Sequence, residues 1–133
     1  MKALQSHSQT VLLVEDDMLL SLVGERMITK MGYHVVGKAL SGPEAIEKTK
    51  ALNPDIIMMD ISLKGDMDGI EAVSEIRKFS DIPVIYLSGS TDKLSMERAK
   101  KTSYVDYLMK PVTEVDLAEP LKRATSLRSK KIA

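Results

Sequence analysis

Short apolar runs alternate with longer amphipathic segments along the whole chain. Val11–Val14 is a continuous apolar run of strand length. Asp17 then offers a helix N-cap, and Leu20, Val23, Met27 and Met31 follow at helical spacing, with Gly32 placed to end the helix. Tyr33–Leu40 reads as a second, Val-rich strand that Gly37 weakens. Ser41 and Glu44 have the spacing of a capping box, and the helix they open stops at Asn53-Pro54. Asp55–Asp60, containing Ile56, Ile57, Met58 and Met59, predicts a third, buried strand. Lys64, Gly65, Asp66, Asp68 and Gly69 predict a loop, and Ile70, Val73, Ile76 and Phe79 a third helix. Pro83–Leu87 follows as a fourth strand. Thr91 or Asp92 caps a fourth helix that ends near Lys101. Tyr104–Met109 is a fifth strand, and Thr113 opens a fifth helix.

The order is βα, five times over. Continuous apolar strands separated by helices require a parallel sheet covered on both faces. Right-handed crossovers then give a doubly wound, five-stranded, three-layer α/β sandwich with strand order 2-1-3-4-5. Its crevice lies at the C-terminal ends of strands 1 and 3. Pro120 conflicts with the pattern: inside a helix it removes a backbone hydrogen bond, which predicts a kink or a restart. Lys122–Ala133 carries five basic side chains and no acid, which suits a solvated helix end at the negative pole of the helix dipole.

Composition narrows the function classes. A chain of 133 residues suits one domain. Nineteen basic against 19 acidic side chains give no net charge, against a DNA-coating or polybasic membrane protein. The absence of cysteine excludes a disulfide scaffold, a thiolate zinc site and a thiol nucleophile. No apolar run approaches the ~18 residues of a membrane span. Polar residues from Gln5 to Thr10 occupy the place of a signal peptide's apolar stretch. The expectation is a cytoplasmic single domain over residues 9–128, with 1–8 and 129–133 flexible. Nine methionines and one Phe imply an aliphatic core. His7 and His34 fit no chemistry, His34 standing in strand 2 as packing or edge.

The residues after each strand are the candidates for chemistry. Glu15, Asp16 and Asp17 follow strand 1; Asp60 ends strand 3; Ser88-Gly89 ends strand 4; Lys110-Pro111 follows strand 5. Strands 1 and 3 are neighbours in the expected order, so Glu15, Asp16 and Asp60 converge, while Asp17 serves better as a cap. Two carboxylates about 4 Å apart repel by ~4 kcal/mol at an effective dielectric near 20. Either one takes a proton or cations enter. Lys110 supplies one positive charge and a hard divalent ion the rest; few ligands with room for water favour Mg²⁺. Carboxylate, Mg²⁺, lysine and hydroxyl form a phosphoryl-transfer constellation in which a carboxylate attacks phosphorus.

Glu15-Asp16-Asp17 after Val11–Val14, Asp60 after Ile56–Met59, Met67-Asp68-Gly69, Ser88-Gly89 and Tyr107-Leu108-Met109-Lys110-Pro111, in that order, resemble the receiver domain of two-component response regulators. The resemblance implies a flavodoxin-like fold and a phosphoacceptor switched by phosphorylation. Asp60 matches the phosphoacceptor, Asp16 the direct metal ligand, Glu15 an acid acting through metal-bound water, and Ser62 the carbonyl contributor. Ser88 matches the hydroxyl that turns toward the phosphoryl group and Lys110 its ion-pair partner. Tyr107 matches an aromatic whose rotamer reports activation, and the Lys110–Pro111 bond is cis in the family. The implied donor is a sensor histidine kinase or a histidine phosphotransfer domain. The implied output is a downstream protein bound on the helix 4–strand 5–helix 5 face, without direct nucleic-acid contact. Glu15 stands where Asp is usual, Ser88 where Thr is usual, and Leu63-Lys64-Gly65-Asp66 where the family often has Pro.

Two other readings compete. A Mg²⁺-dependent phosphohydrolase using an aspartyl phosphate would want a second acid two residues after the nucleophile, where this chain has Ser62. A degenerate receiver that binds a partner without phosphorylation sits poorly with the intact acids and Lys110. On the leading reading the chain is not an enzyme beyond slow self-dephosphorylation, with Ser62 and Ser90 leaving a path for hydrolytic water.

Overall fold

The computed structural model describes residues 9–132 except Thr91, with side chains from 129 onward outside the description. The elements are β1 (Thr10–Val14), α1 (Met18–Lys30), β2 (His34–Ala39), α2 (Gly42–Leu52) and β3 (Ile56–Asp60). They continue with α3 (Gly69–Ile76), β4 (Val84–Ser88), α4 (Lys93–Lys100), β5 (Asp106–Met109) and α5 (Glu114–Ile132). All four strand pairings are parallel, in the order β2-β1-β3-β4-β5. This is the doubly wound topology expected from the sequence.

Alternate residues of the central strands feed two cores. Leu12, Val14, Ile57, Met59, Val84 and Tyr86 pack on Ala45 of α2, Val73 and Ile76 of α3 and Ala99 of α4. Val11, Leu13, Ile56, Met58, Ile85 and Leu87 pack on Ile28 of α1 and Leu117, Leu121 and Ala124 of α5. The continuous apolar runs therefore follow from strands covered on both faces.

Helix starts are set by short polar side chains. Asp17 accepts from the Leu20 amide at 3.0 Å, and Ser41 from the Glu44 amide at 3.2 Å. Asp92 takes the cap of α4, and its alternative, Thr91, lies outside the described residues. Asp68 forms a full capping box with Glu71, so α3 opens at Gly69 within the stretch read as loop.

Several expectations need correction. The helical spacing of Leu20, Val23, Met27 and Met31 gives a helix, but only Met27 and Met31 of that series pack against the core, while Leu20 and Val23 are about half exposed, at 48% and 49%. The buried positions of α1 are Ser21 and Ile28, with Gly24 set against Leu13. The third helix ends at Ile76; Phe79 lies beyond it, exposed, with the Lys50 ammonium 5.0 Å from its ring centroid. β5 starts at Asp106, two residues later than Tyr104. Pro120 is buried within one uninterrupted α5, so the helix does not restart there. Gly37 stands in β2 where the register against β1 shifts between Val11 and Leu12, the weak point its sequence suggested, and a Cβ there would meet Leu52 at 2.6 Å. His34 is exposed on β2, an edge strand. Residues 1–8, with His7, and Ala133 lie outside the described residues, and α5 extends through Ile132.

Candidate functional site

Four strands deliver polar groups to one rim of the sheet. The pairing of Val14 with Met59 sets Glu15, just past β1, beside Asp60 at the end of β3. Asp60 pairs with Leu87, and Ser88 with Met109, so β4 and β5 end at the same level just before Lys110. One carboxylate oxygen from each of Glu15, Asp16 and Asp60 lies within 4.8 Å of the other two. Glu15 and Asp60 are buried, at 5% and 2% exposure, and Asp16 is half-buried.

Lys110 sits among them. Its Nζ is 3.0 Å from Glu15 Oε1 and 3.1 Å from Asp60 Oδ2. Backbone donors hold the other oxygens: the Asp17 amide donates to Glu15 Oε2 at 3.1 Å and the Ser62 amide to Asp60 Oδ1 at 3.1 Å. The Lys64 amide donates to Asp16 Oδ2 at 2.7 Å. Burial raises the pKa of Glu15, with the Asp60 charge adding to it, against the lowering effect of Lys110 and the Asp17 amide. Burial works against the Lys110 charge, but its bonds to Glu15 and Asp60 prevail and its pKa rises. Three carboxylates against one ammonium leave excess negative charge. Clustered hard oxygen donors of this kind suit a small divalent cation.

The hydroxyl arm is turned within its own loop. Ser88 Oγ donates to the Ser90 carbonyl at 2.7 Å and accepts from the Ser90 amide at 3.1 Å. The Tyr107 hydroxyl points at the same carbonyl from 3.5 Å. Tyr107 belongs to a three-ring cluster, its centroid 6.2 Å from both Tyr86 and Tyr104. Tyr86 is fully buried, its hydroxyl 2.7 Å from Thr102 Oγ1, and burial pushes its pKa up to about 12. The Lys110–Pro111 peptide bond is cis. Gly69 packs against the backbone of Asp60: a Cβ there would run into the Asp60 carbonyl oxygen and sit 2.9 Å from Met59 Cγ.

The rim thus brings together Glu15, Asp16, Asp60 and Lys110. Ser62 touches Asp60 through its amide. Ser88 lies on the same rim but is bonded to Ser90, and Tyr107 stands beside that bond. Asp17 is the helix cap its position suggested. Sequence reasoning missed the Lys64 amide, which no side chain advertises. It read Asp68 only as a loop and motif residue and missed its capping role, although the Asp-x-x-Glu spacing was a readable signal. The guanidinium of Arg98 meets the Asp68 carboxylate with two bonds, 2.9 and 3.2 Å. A third feature is the apolar front of α1, where Met18 and Leu19 are 75% and 69% exposed.

Comparison with known proteins places this geometry in a family. The model of the response regulator receiver domain matches residues 11–122. The chain is 35% identical over 116 residues to the chemotaxis protein CheY of Thermotoga maritima, covering 86% of this chain and 96% of that one. It is 34% identical to the transcriptional regulatory protein PdtaR of Mycobacterium tuberculosis, covering 87% of this chain but 56% of the relative. Among solved structures, the signal receiver domain of a modulated diguanylate cyclase from Desulfovibrio desulfuricans G20 superposes with a TM-score of 0.86 at 31% identity. That match covers 93% of this chain and 98% of that domain. With the five-stranded parallel sheet and its acidic rim, these matches establish that the chain belongs to the response-regulator receiver domains of two-component signalling.

Proposed function

We propose that Asp60 accepts a phosphoryl group from a phosphohistidine of a sensor kinase or histidine phosphotransfer domain. The observation that carries this reading is Lys110 bridging two buried carboxylates, Glu15 and Asp60, with Asp16 in the same cluster. Asp16 and Asp60 would hold Mg²⁺ directly, the Ser62 carbonyl would contribute a third contact, and Glu15 would act through bound water. A bound Mg²⁺ supplies positive charge to the phosphoryl oxygens during transfer. An Asp60 carboxylate oxygen forms the bond to phosphorus as the phosphorus–nitrogen bond breaks, and the imidazole nitrogen keeps the electron pair. Lys110 steadies the negative charge on the phosphoryl oxygens as it now steadies Asp60.

The switch follows from one shared carbonyl. Ser88 and Tyr107 both address the Ser90 carbonyl. Once Ser88 turns its hydroxyl to the phosphoryl group, that carbonyl is left to Tyr107, and the α4–β5–α5 surface changes with it. Such a switch needs two states within a few kcal/mol of one another. The changed surface is where a downstream protein binds. Ser62 and Ser90, both exposed, leave water access that limits the phosphoryl lifetime. The domain, over residues 9–128, acts as a phosphoacceptor rather than a turnover enzyme. The receiver acts in the cytoplasm, within reach of such a donor, a location consistent with its family.

The donor needs a surface beside the rim. Met18, Leu19, Leu22 and Val23 expose apolar side chains on the first turns of α1. An apolar cavity of about 350 Å³ opens behind them between α1 and α5, reaching Lys110 and Pro111. Burying these groups against the histidine-bearing partner would place its imidazole at Asp60.

Intact-mass analysis with acetyl phosphate and Mg²⁺ tests the proposal. The wild-type chain should gain one phosphoryl group and Asp60→Asn none. No gain by the wild type would instead support a receiver that works without phosphorylation. An equal gain by Asp60→Asn would place the acceptor elsewhere.

A further inference from the structure

Helix α4 is weakly held to the body. Of its eight residues only Ala99 is buried, and Leu94 is 70% exposed. Its C-terminal end, in contrast, is anchored firmly. Thr102 is buried, its hydroxyl donates to the Ala99 carbonyl at 2.6 Å and meets the Tyr86 hydroxyl at 2.7 Å. Arg77, at the end of α3, donates to the carbonyls of Thr102 at 2.7 Å and Ser103 at 2.8 Å. The remainder of α4 has one ion pair to the body among the described residues, from Arg98 to Asp68.

Asp68 is not a neutral attachment point. It caps α3 through the Glu71 amide at 2.8 Å, and its neighbour Gly69 packs on the Asp60 carbonyl. The Gly69 amide also donates to the Ile61 carbonyl at 2.9 Å. A continuous path therefore runs from Asp60 through Gly69 and Asp68 to Arg98, and it does not pass through Ser88.

We propose that the Arg98–Asp68 pair is a tether that sets the resting position of α4 and restrains the switch at Asp60. When the pair breaks, the front of α4 swings about the Thr102 anchor. The switched arrangement then costs less to reach, and Asp60 takes up a phosphoryl group more readily. The second half of this proposal rests on Asp60 being the phosphoacceptor; the first half does not.

Two variants of the full chain test it. Arg98→Gln removes the charge while keeping a good helix former. Asp68→Asn removes the partner charge while keeping an equally good N-cap, so α3 should stay intact. The readout is amide hydrogen exchange without any phosphodonor. Both variants should speed exchange over the front of α4, residues 94–98, by about three- to fivefold, the range of a partly exposed ion pair, with α3 and the anchored end at Ala99 unchanged. Exchange in α4 equal to wild type in both variants overturns the tether. A parallel measurement follows the initial rate of phosphoryl uptake from acetyl phosphate with Mg²⁺. It should rise by a similar factor in both variants. Faster α4 exchange with unchanged uptake overturns the restraint on Asp60 and leaves a purely structural tie. Wild-type chain that takes up nothing refutes the phosphoacceptor reading and the restraint, while the exchange result still decides the tether.

Discussion

Removing the charge of Asp60 should make the protein more stable when no divalent ion is present. Its carboxylate lies within 4.8 Å of oxygens of both Glu15 and Asp16. At an effective dielectric near 20 each contact costs at least about 3.5 kcal/mol, so Asp60 carries about 7 kcal/mol of repulsion. Lys110, 3.1 Å away, returns about 5 kcal/mol on the same scale. Asp60→Asn keeps the acceptor for the Ser62 amide and removes both terms. After side-chain relaxation, a gain of about 1–2 kcal/mol remains. Urea unfolding followed by circular dichroism, with EDTA present, measures it as a higher midpoint at unchanged slope. Millimolar Mg²⁺ should then stabilise the wild type more than the variant, because ligand binding to the native state adds to stability. A variant less stable than the wild type in EDTA refutes the reasoning: the site would then be balanced by Lys110 alone, with no electrostatic demand for a cation.

Other outcomes follow from the same contacts. Tyr86 stays neutral up to a pKa of about 12 in the fold, against about 10 when unfolded. Its contribution is therefore complete below pH 10 and lost as the pH rises from 10 to 12, a fall of roughly 3 kcal/mol. Tyr86→Phe should cost about 1 kcal/mol at neutral pH through the bond to Thr102, yet show a flatter alkaline decline in urea titrations. A decline as steep as wild type would refute that assignment. Gly69→Ala should destabilise by about 1–3 kcal/mol, since the new methyl group meets backbone that cannot move aside, and a thermal melt reads the loss. Ser88→Ala leaves the Ser90 amide without its acceptor but at an exposed site, costing at most about 1 kcal/mol. That variant should still take up a phosphoryl group, while the Tyr107 ring resonance no longer shifts on phosphorylation.

The sheet was readable because its central strands are apolar on both faces: Ile56–Met59 leaves no other place for four consecutive large apolar side chains. The convergence of Glu15, Asp16 and Asp60 was readable for the same reason, since strand order fixes which strand ends are neighbours. Helix faces were less so. The Leu20–Val23–Met27 spacing marks an apolar stripe, but spacing alone does not distinguish a stripe turned to the core from one turned outward. In α1 the buried positions are Ser21 and Ile28, with Gly24 set against Leu13; Met27 and Met31 pack partly on the core, and Leu20 and Val23 stay about half exposed. Pro120 was read as a kink or a restart; the buried contacts of Leu117, Leu121 and Ala124 on either side keep α5 continuous, so it does not restart. Backbone donors such as the Lys64 amide leave no trace in side-chain patterns. Asp68 and Arg98 lie thirty positions apart, so only the folded chain shows that they meet.

Reduction of the phosphorylated protein with borohydride tests the central claim most directly. An acyl phosphate on aspartate is reduced to homoserine, and peptide mass analysis locates it. After treatment with acetyl phosphate and Mg²⁺ the conversion should fall on Asp60, and it should vanish when EDTA replaces Mg²⁺ or when Lys110 is changed to Met. Conversion at another aspartate, or at Asp60 undiminished by EDTA and by Lys110→Met, would contradict an acceptor site built on a cation and Lys110.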